Sequence, residues 1–357
     1  MAIIYGSWIA RLPDIQMRLQ LSEGEVGIVL MGLAFGTLLA TPLTVFILRM
    51  MPLGKATFLS TLLLCLAFST PALATGKWML TALLALTGLF DGFMNIAMNT
   101  AAASIEKRDK VNIMSTCHGM FSVGLILGAA SSGYISKLGF SFFWHIVSIA
   151  LLLIALAMAI RPYVLAVPES TDKETGFVFP SKAILGLGII CACFNIGEGA
   201  IADWSAIYLR DYLGSDPFIS SLGLAIYAIG MAIGRFSGDK IRAAYKAKTI
   251  LLVGGLVTIL GLIIVVFSTI SSMAILGFFL SGLGLSLSVP VLFSEASKVE
   301  GIQPSVGLAS VATFSLVGFT GGPPLIGFIS EYTSLSIGLG FVALLAVLGT
   351  LLIMRIL

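Results

Sequence analysis

The chain has 357 residues, of which 58% are hydrophobic and only 10% charged, with a mean hydropathy of +1.07 and a formal charge of +3. That much apolar surface exceeds what a soluble core of this length can hide, so the composition excludes a soluble globular protein and implies a polytopic membrane protein. The small basic excess lies in short clusters between apolar runs, which makes it a matter of topology and not of nucleic-acid binding. Cys65, Cys117, Cys191 and Cys193 all fall inside apolar runs without metal-ligand spacing and read as buried free thiols.

A helix needs about 20 apolar residues to span a bilayer. On that measure the chain divides into a partial helix and eleven full ones, over residues 1–16, 25–49, 55–74, 78–104, 112–136, 141–161, 183–212, 217–238, 249–269, 272–297, 303–329 and 333–355. Trp8 and Arg11 interrupt the first apolar run too early for a cleavable signal core, so the chain is expected to begin partway along a helix. Only one connection is extended and polar, Pro162 to Ser181, with Glu169, Asp172, Lys173 and Glu174. It separates an N-terminal six-helix half, 1–161, from a C-terminal one, 182–357, with 162–181 as linker. Of the 20 Lys and Arg residues, fifteen fall in connections on the linker's side and five on the other, which predicts a cytoplasmic linker and C-terminus.

The two halves share a sequence pattern. MFSVGLILGAASSGYIS at Met120–Ser136 returns as FSLVGFTGGPPLIGFIS at Phe314–Ser330, so that Gly124, Gly128, Gly133 and Ser136 recur 194 residues later as Gly318, Gly322, Gly327 and Ser330. The same offset pairs Gly88 with Gly282 and Glu106 with Glu300, and Gly32 and Gly36 recur as Gly230 and Gly234 at an offset of 198. An even number of helices per copy makes the repeat parallel. Glycines four apart let one membrane helix lie backbone-close against another. Gly32, Gly36, Gly124, Gly128, Gly230, Gly234, Gly318 and Gly322 are therefore the expected packing residues, with the Gly124 and Gly318 helices forming the contact between the halves.

Two six-helix halves, a cytoplasmic linker and glycine-lined second, fifth, eighth and eleventh helices resemble the major facilitator superfamily. More narrowly, Trp8-x-x-Arg11-x-Pro13, Asn99, His118-Gly119 and Glu198-Gly199-x-x-x-Asp203-Trp204 are similar to a bacterial branch related to the fucose permease group. The resemblance implies an all-α, twelve-helix fold with its first helix shortened, in the bacterial inner membrane. It also implies a monomer that moves a small polar solute, sugar or sugar-like, by alternating access with proton symport. Two departures matter. Arg49–Lys55 lacks the aspartate usual in the loop after the second helix, whereas Gly234–Lys240 is closer to the pattern, so a conformational latch is expected on Arg235, Asp239 and Lys240. The fifth-helix glycine run does not end in Gly-Pro, since Ala129 follows Gly128, and this argues against a drug/proton antiporter.

A charge at the bilayer centre costs at least about 2.5–3.5 kcal/mol, so each ionisable residue inside a span needs a partner, a cavity or a role. Asp91, Asn95 and Asn99 project from one face of the fourth helix at four-residue steps. In the sugar symporters that this branch resembles, a carboxylate stands where Asn95 is here, and Asp91 one turn away is the substitute; a structural interhelical hydrogen bond is the alternative. Glu198, flanked by Gly197 and Gly199 and preceded by Asn195, suits a broken segment that holds a carboxylate at a binding cavity. Trp204 offers an apolar face to a sugar ring. Asp203 either joins that site or pairs with Arg11 as a gate, while Arg11 and Asp14 are spaced for a local pair at the outer mouth. His118 is either a proton relay or a histidine satisfied by a carbonyl; His145, beside Trp144, is assigned to the interfacial belt.

No HExxH, GxSxG or P-loop occurs, and two histidines in different helices do not suggest zinc, so neither an enzyme, a metal nor a cofactor is expected. The expected function is secondary transport, with protons and a small solute as partners. Two alternatives stay open: export of amphiphilic compounds through a cavity adapted by the 23 Phe and 14 Met, and a non-transporting membrane sensor of the same fold.

Overall fold

The computed structural model describes residues 1–111, 113–169, 182–302 and 304–357, and among them every regular element is helical. The chain divides into two compact units, 1–173 and 174–357. Eleven helices among the described residues are long and apolar enough to cross a membrane.

The first unit contains α1 (Ala2–Ala10), α2 (Leu12–Leu19), α3 (Glu23–Met50), α4 (Leu53–Ser69), α5 (Lys77–Asp109), α6 (Met114–Lys137) and α7 (Phe142–Leu165). The first span, expected to run unbroken over 1–16, is jointed at Arg11. Pro13 has no N–H to give the carbonyl of Ile9, so the chain leaves the helical path at φ −101°, ψ 4°, and the Arg11 N–H bonds back to Trp8 O at 3.1 Å. Ser22 and Glu25 cap α3 reciprocally, and Lys77 at the start of α5 reaches Glu25 Oε1 at 2.6 Å. Glu106 gives its carboxylate to the backbone N–H groups of Ile113 and Met114, at 2.6 and 2.8 Å, and so anchors the start of α6. Part of the expected linker lies among the described residues. Helix α7 runs through Pro162 to Leu165, and both carboxylate oxygens of Glu169 accept from Leu53 N at 3.2 Å, fastening this segment to the uncapped start of α4. The rest, including Asp172, Lys173 and Glu174, lies outside the described residues.

The second unit contains α8 (Lys182–Ile207), which continues as one π-helical turn over Tyr208–Tyr212, then α9 (Pro217–Ala244), α10 (Ala247–Val266), α11 (Ser271–Leu285), α12 (Ser288–Ala296), α13 (Pro304–Tyr332) and α14 (Leu335–Ile356). The span expected over 272–297 is split between α11 and α12, because Pro290 cannot donate to the carbonyl of Ser286.

The repeated glycines decide how each unit closes. A methyl on Gly124 would lie 2.6 Å from Ala2 Cβ, one on Gly128 would enter the Ile3 carbonyl, and Gly6 in turn faces Leu125 O, so α1 and α6 interlock. In the second unit Gly318 and Gly322 face the carbonyls of Ala192 and Ile196, and Gly199 faces that of Phe319, so α8 and α13 do the same. Gly32 and Gly36 meet Thr81 and Ala85 on α5, while Gly230 and Gly234 meet Phe279 and Ser286 on α11. The glycines do admit close backbone approach, and the Gly124 and Gly318 stripes meet α1 and α8 inside their own units. The reason is reciprocity: Gly6 and Gly199 bare the partner helices of the same unit at the matching height.

Candidate functional site

Helix α9 does not end where the apolar run ends. The helix expected over 217–238 runs on to Ala244, so Gly234–Lys240, which matches the family's loop pattern, is helical throughout, and the methyl-free face at Gly238 packs toward Leu287. Helical geometry therefore places Arg235 on the side of α9 that faces α8. Its Nη2 donates to Glu198 Oε1 at 3.1 Å, and the two side chains are 18% and 17% exposed. Glu198 is the midpoint of the span Ile184–Tyr212. Tyr227, two turns before Arg235 on α9, is buried, within electrostatic range of both charges, and its hydroxyl has no hydrogen-bond partner among the described residues. An ion pair with an unsatisfied phenol beside it, in the middle of an apolar span, is a group of atoms poised to exchange partners. The sequence reading named Glu198 for binding and Arg235 for a gate without joining them, and it missed Tyr227, whose only signal was its place in the apolar run before Arg235.

Around Glu198 three expectations change. The helix is continuous: α8 runs unbroken from Lys182 to Ile207, and its glycines serve packing, Gly197 toward Val342 of α14 and Gly199 against Phe319 O of α13. Phe319 O is free for this approach because Pro323 has no N–H to offer it. Trp204 is 0% exposed and donates from Nε1 to Pro323 O at 2.9 Å, so it tethers α8 to α13 and presents no open face to a sugar. Asn195 is also buried, its Nδ2 held by Cys191 O at 2.9 Å on its own helix, and it is not an open ligand either. Asp203 is buried with Oδ1 unpartnered among the described residues. Since Trp204 works as a tether, Trp204→Phe is expected to remove the α8–α13 hydrogen bond and cost about 0.5–1.5 kcal/mol in thermal or denaturant stability, while solute affinity stays unchanged; a variant that unfolds like the wild type but loses solute binding would return Trp204 to the site.

In the first unit Asn99 Nδ2 donates to Asn95 Oδ1 at 2.9 Å, so these two amides do share a face of α5, with Asn95 exposed. One turn earlier Asp91 has a buried Oδ1 with no partner among the described residues. Arg11, 4% exposed, is fully engaged at the α1–α2 joint: it pairs with Asp14, donates to Phe140 O at 2.9 Å, lies 3.5 Å from His145 Nδ1 and stacks over the Phe142 ring at 5.7 Å. Ser136, one of the repeated residues, donates to Asp14 Oδ2 at 3.3 Å. The base offered to Asp203 thus goes to Asp14. His145 is buried beside Arg11 and does not belong to the interfacial belt, a place that its exposed neighbour Trp144 takes. His118 is exposed near the start of α6, and Asp239 and Lys240 are exposed at the end of α9. Among the described residues no three His, Cys, Asp or Glu side chains gather as a metal site.

These features meet known proteins at the level of sequence and of fold. Residues 2–299 match the family model of the Major Facilitator Superfamily. An uncharacterized MFS-type transporter of Yersinia pestis is 32% identical over 340 residues, covering 95% of this chain and 88% of that protein. The membrane protein MosC of Rhizobium meliloti is 27% identical over 355 residues, with 97% and 85% covered. Among solved structures, the nucleoside transporter NupG has a TM-score of 0.76 at 12% identity, with 99% of this chain and 96% of that one covered. The E. coli fucose:proton symporter FucP has a TM-score of 0.63 at 14% identity, with 100% and 97% covered. By the match of its sequence over most of its length, and by a helical fold shared with solved transporters, the chain belongs to the Major Facilitator Superfamily.

Proposed function

We propose that this transporter moves a small polar solute, sugar-like and carrying several hydroxyl groups, together with a proton, by alternating access. The observation that carries the reading is the Glu198–Arg235 pair at mid-span. The guanidinium gives this mid-span carboxylate the partner that a charge in a span needs. Protonation of Glu198 releases Arg235 to a different partner, and that exchange is the kind of two-state element through which proton binding biases a conformational equilibrium. Asp91, with an unpartnered buried oxygen one turn from the Asn95–Asn99 amides, supplies a second carboxylate beside hydrogen-bonding groups suited to hydroxyls. That the fold neighbours include a nucleoside transporter and a fucose:proton symporter is consistent with a sugar or ribose moiety in the solute. The same reading places the chain as a monomer in a bacterial inner membrane, with the linker and C-terminus in the cytoplasm, as the distribution of Lys and Arg suggests.

The test is proton flux into proteoliposomes holding the full chain, challenged with sugars and nucleosides, beside Asp91→Asn. Solute-dependent proton uptake is expected in the wild type, with uptake and counterflow both reduced in the variant. Solute exchange without proton movement would replace symport by facilitated diffusion or exchange.

A further inference from the structure

At the end of the second unit where α9 finishes and α10 begins, a cavity of ≈510 Å³ opens between that connection and α12. Its rim carries Arg242, Lys246 and Lys298, opposed by Asp239 and Glu295, and Tyr245 stands exposed beside it. Glu295 is occupied by Lys298 at 2.7 Å. Arg242 and Lys246 form no ion pair among the described residues and are exposed. The lining includes Ala247 and Ile250 in the first turn of α10, a helix whose N-cap residue, Lys246, makes no side-chain cap. Two free cations and a bare helix start around one hollow suit a phosphate group.

The surface below the cavity shows which phosphate. From the next turn a stripe of exposed apolar residues runs down α10 to just past its end, Val253, Leu256, Leu260, Ile263 and Phe267, at alternating steps of three and four. A hollow that fits a phosphate and opens onto an apolar track of helical length fits a molecule with an anionic head and acyl chains. We infer that this cavity is a binding site for the headgroup of an anionic phospholipid, held by Arg242 and Lys246, with its chains along α10. The other basic residue of the turn, Lys248, is taken by Met354 O at 3.0 Å and leaves the site to these two. The inference does not depend on the transported solute.

The experiment is equilibrium binding to the purified full-length protein in neutral detergent, with short-chain phosphatidylglycerol, short-chain phosphatidylcholine and inorganic phosphate as separate ligands. Phosphatidylglycerol is expected to bind saturably and more tightly than either of the others. The double variant Arg242→Gln/Lys246→Gln, both exposed and free of structural bonds, is expected to weaken that binding about 30-fold, two charges at about 1 kcal/mol each. Lys55→Gln, an exposed lysine of the first unit, is expected to leave it unchanged, and Asp239→Asn to tighten it about fivefold by removing the carboxylate that faces the headgroup. Equal binding of the two lipids, or an unaffected double variant with a wild-type unfolding temperature, would overturn the site. Inorganic phosphate binding as tightly as the lipid would overturn the lipid assignment and leave a site for a soluble phosphate.

Discussion

Glu198→Gln is expected to reduce solute-driven proton uptake to background while leaving the protein folded. Glutamine retains the shape and one acceptor for Arg235 Nη2, so the α8–α9 contact survives, but it cannot take up a proton at mid-span. Arg235→Ala is expected to be worse for stability than Glu198→Gln, because it strands a carboxylate in an apolar span, whereas the glutamine still offers Arg235 an acceptor. A double-mutant cycle over Glu198 and Arg235, read by thermal unfolding, is expected to give a coupling of about 1–3 kcal/mol, at the moderate end because both side chains keep some access to solvent. Tyr227→Phe belongs to the same experiment. Since the hydroxyl has no hydrogen-bond partner among the described residues, the variant should fold normally, and any loss of transport would place the hydroxyl in the alternate state. Wild-type proton uptake in Glu198→Gln would remove the pair from coupling and leave Asp91 as the carboxylate to pursue.

The second large effect is expected from two adjacent glycines of opposite character. Gly322 lies against Ile196, where a methyl would sit 2.6 Å from the carbonyl oxygen and 3.0 Å from the Cα; neighbouring Gly321 has nothing within 4 Å of the same position. Gly322→Ala must push α13 from α8, at a cost of about 1–3 kcal/mol for overpacking a close contact, and Gly322→Leu should abolish folded protein. Gly321→Ala faces open space and should be neutral, or stabilising by about 0.5–1 kcal/mol from reduced chain entropy. Gly128, the repeat partner of Gly322, should behave like it, since a methyl there enters the Ile3 carbonyl. Unfolding temperatures in one detergent decide the matter: similar values for Gly321→Ala and Gly322→Ala would mean that the interlock of α8 with α13 contributes little.

The fold was legible because membrane burial writes itself in composition. Runs of about 20 apolar residues must be helices when the backbone has no water to satisfy it, and the boundaries read from the chain differ by one or two residues for 25–49 against Glu23–Met50 and by as many as six for 217–238 against Pro217–Ala244. The glycine repeat likewise announced close packing before any partner was known. Hydropathy carries no comparable signal for direction around a helix axis, which is why the destination of each stripe needed the structure: Gly124 and Gly128 meet α1, and Gly318 and Gly322 meet α8, inside their units. The site was legible as an inventory of costly residues and not as an arrangement. Asp91 and Glu198 stood out from the chain alone because a charge in a span demands a reason, and Arg235 stood out through the loop pattern of Gly234–Lys240. That Glu198 faces Arg235 depended on how α9 is rotated against α8. That Trp204 and Asn195 turn away from any open surface depended on the Pro323 and Cys191 carbonyls near them. Sequence by itself determined which residues are too polar to lie idle in a bilayer; tertiary structure decided their partners, because a hydrogen bond or ion pair is fixed by the relative height and rotation of two helices, which no single helix encodes.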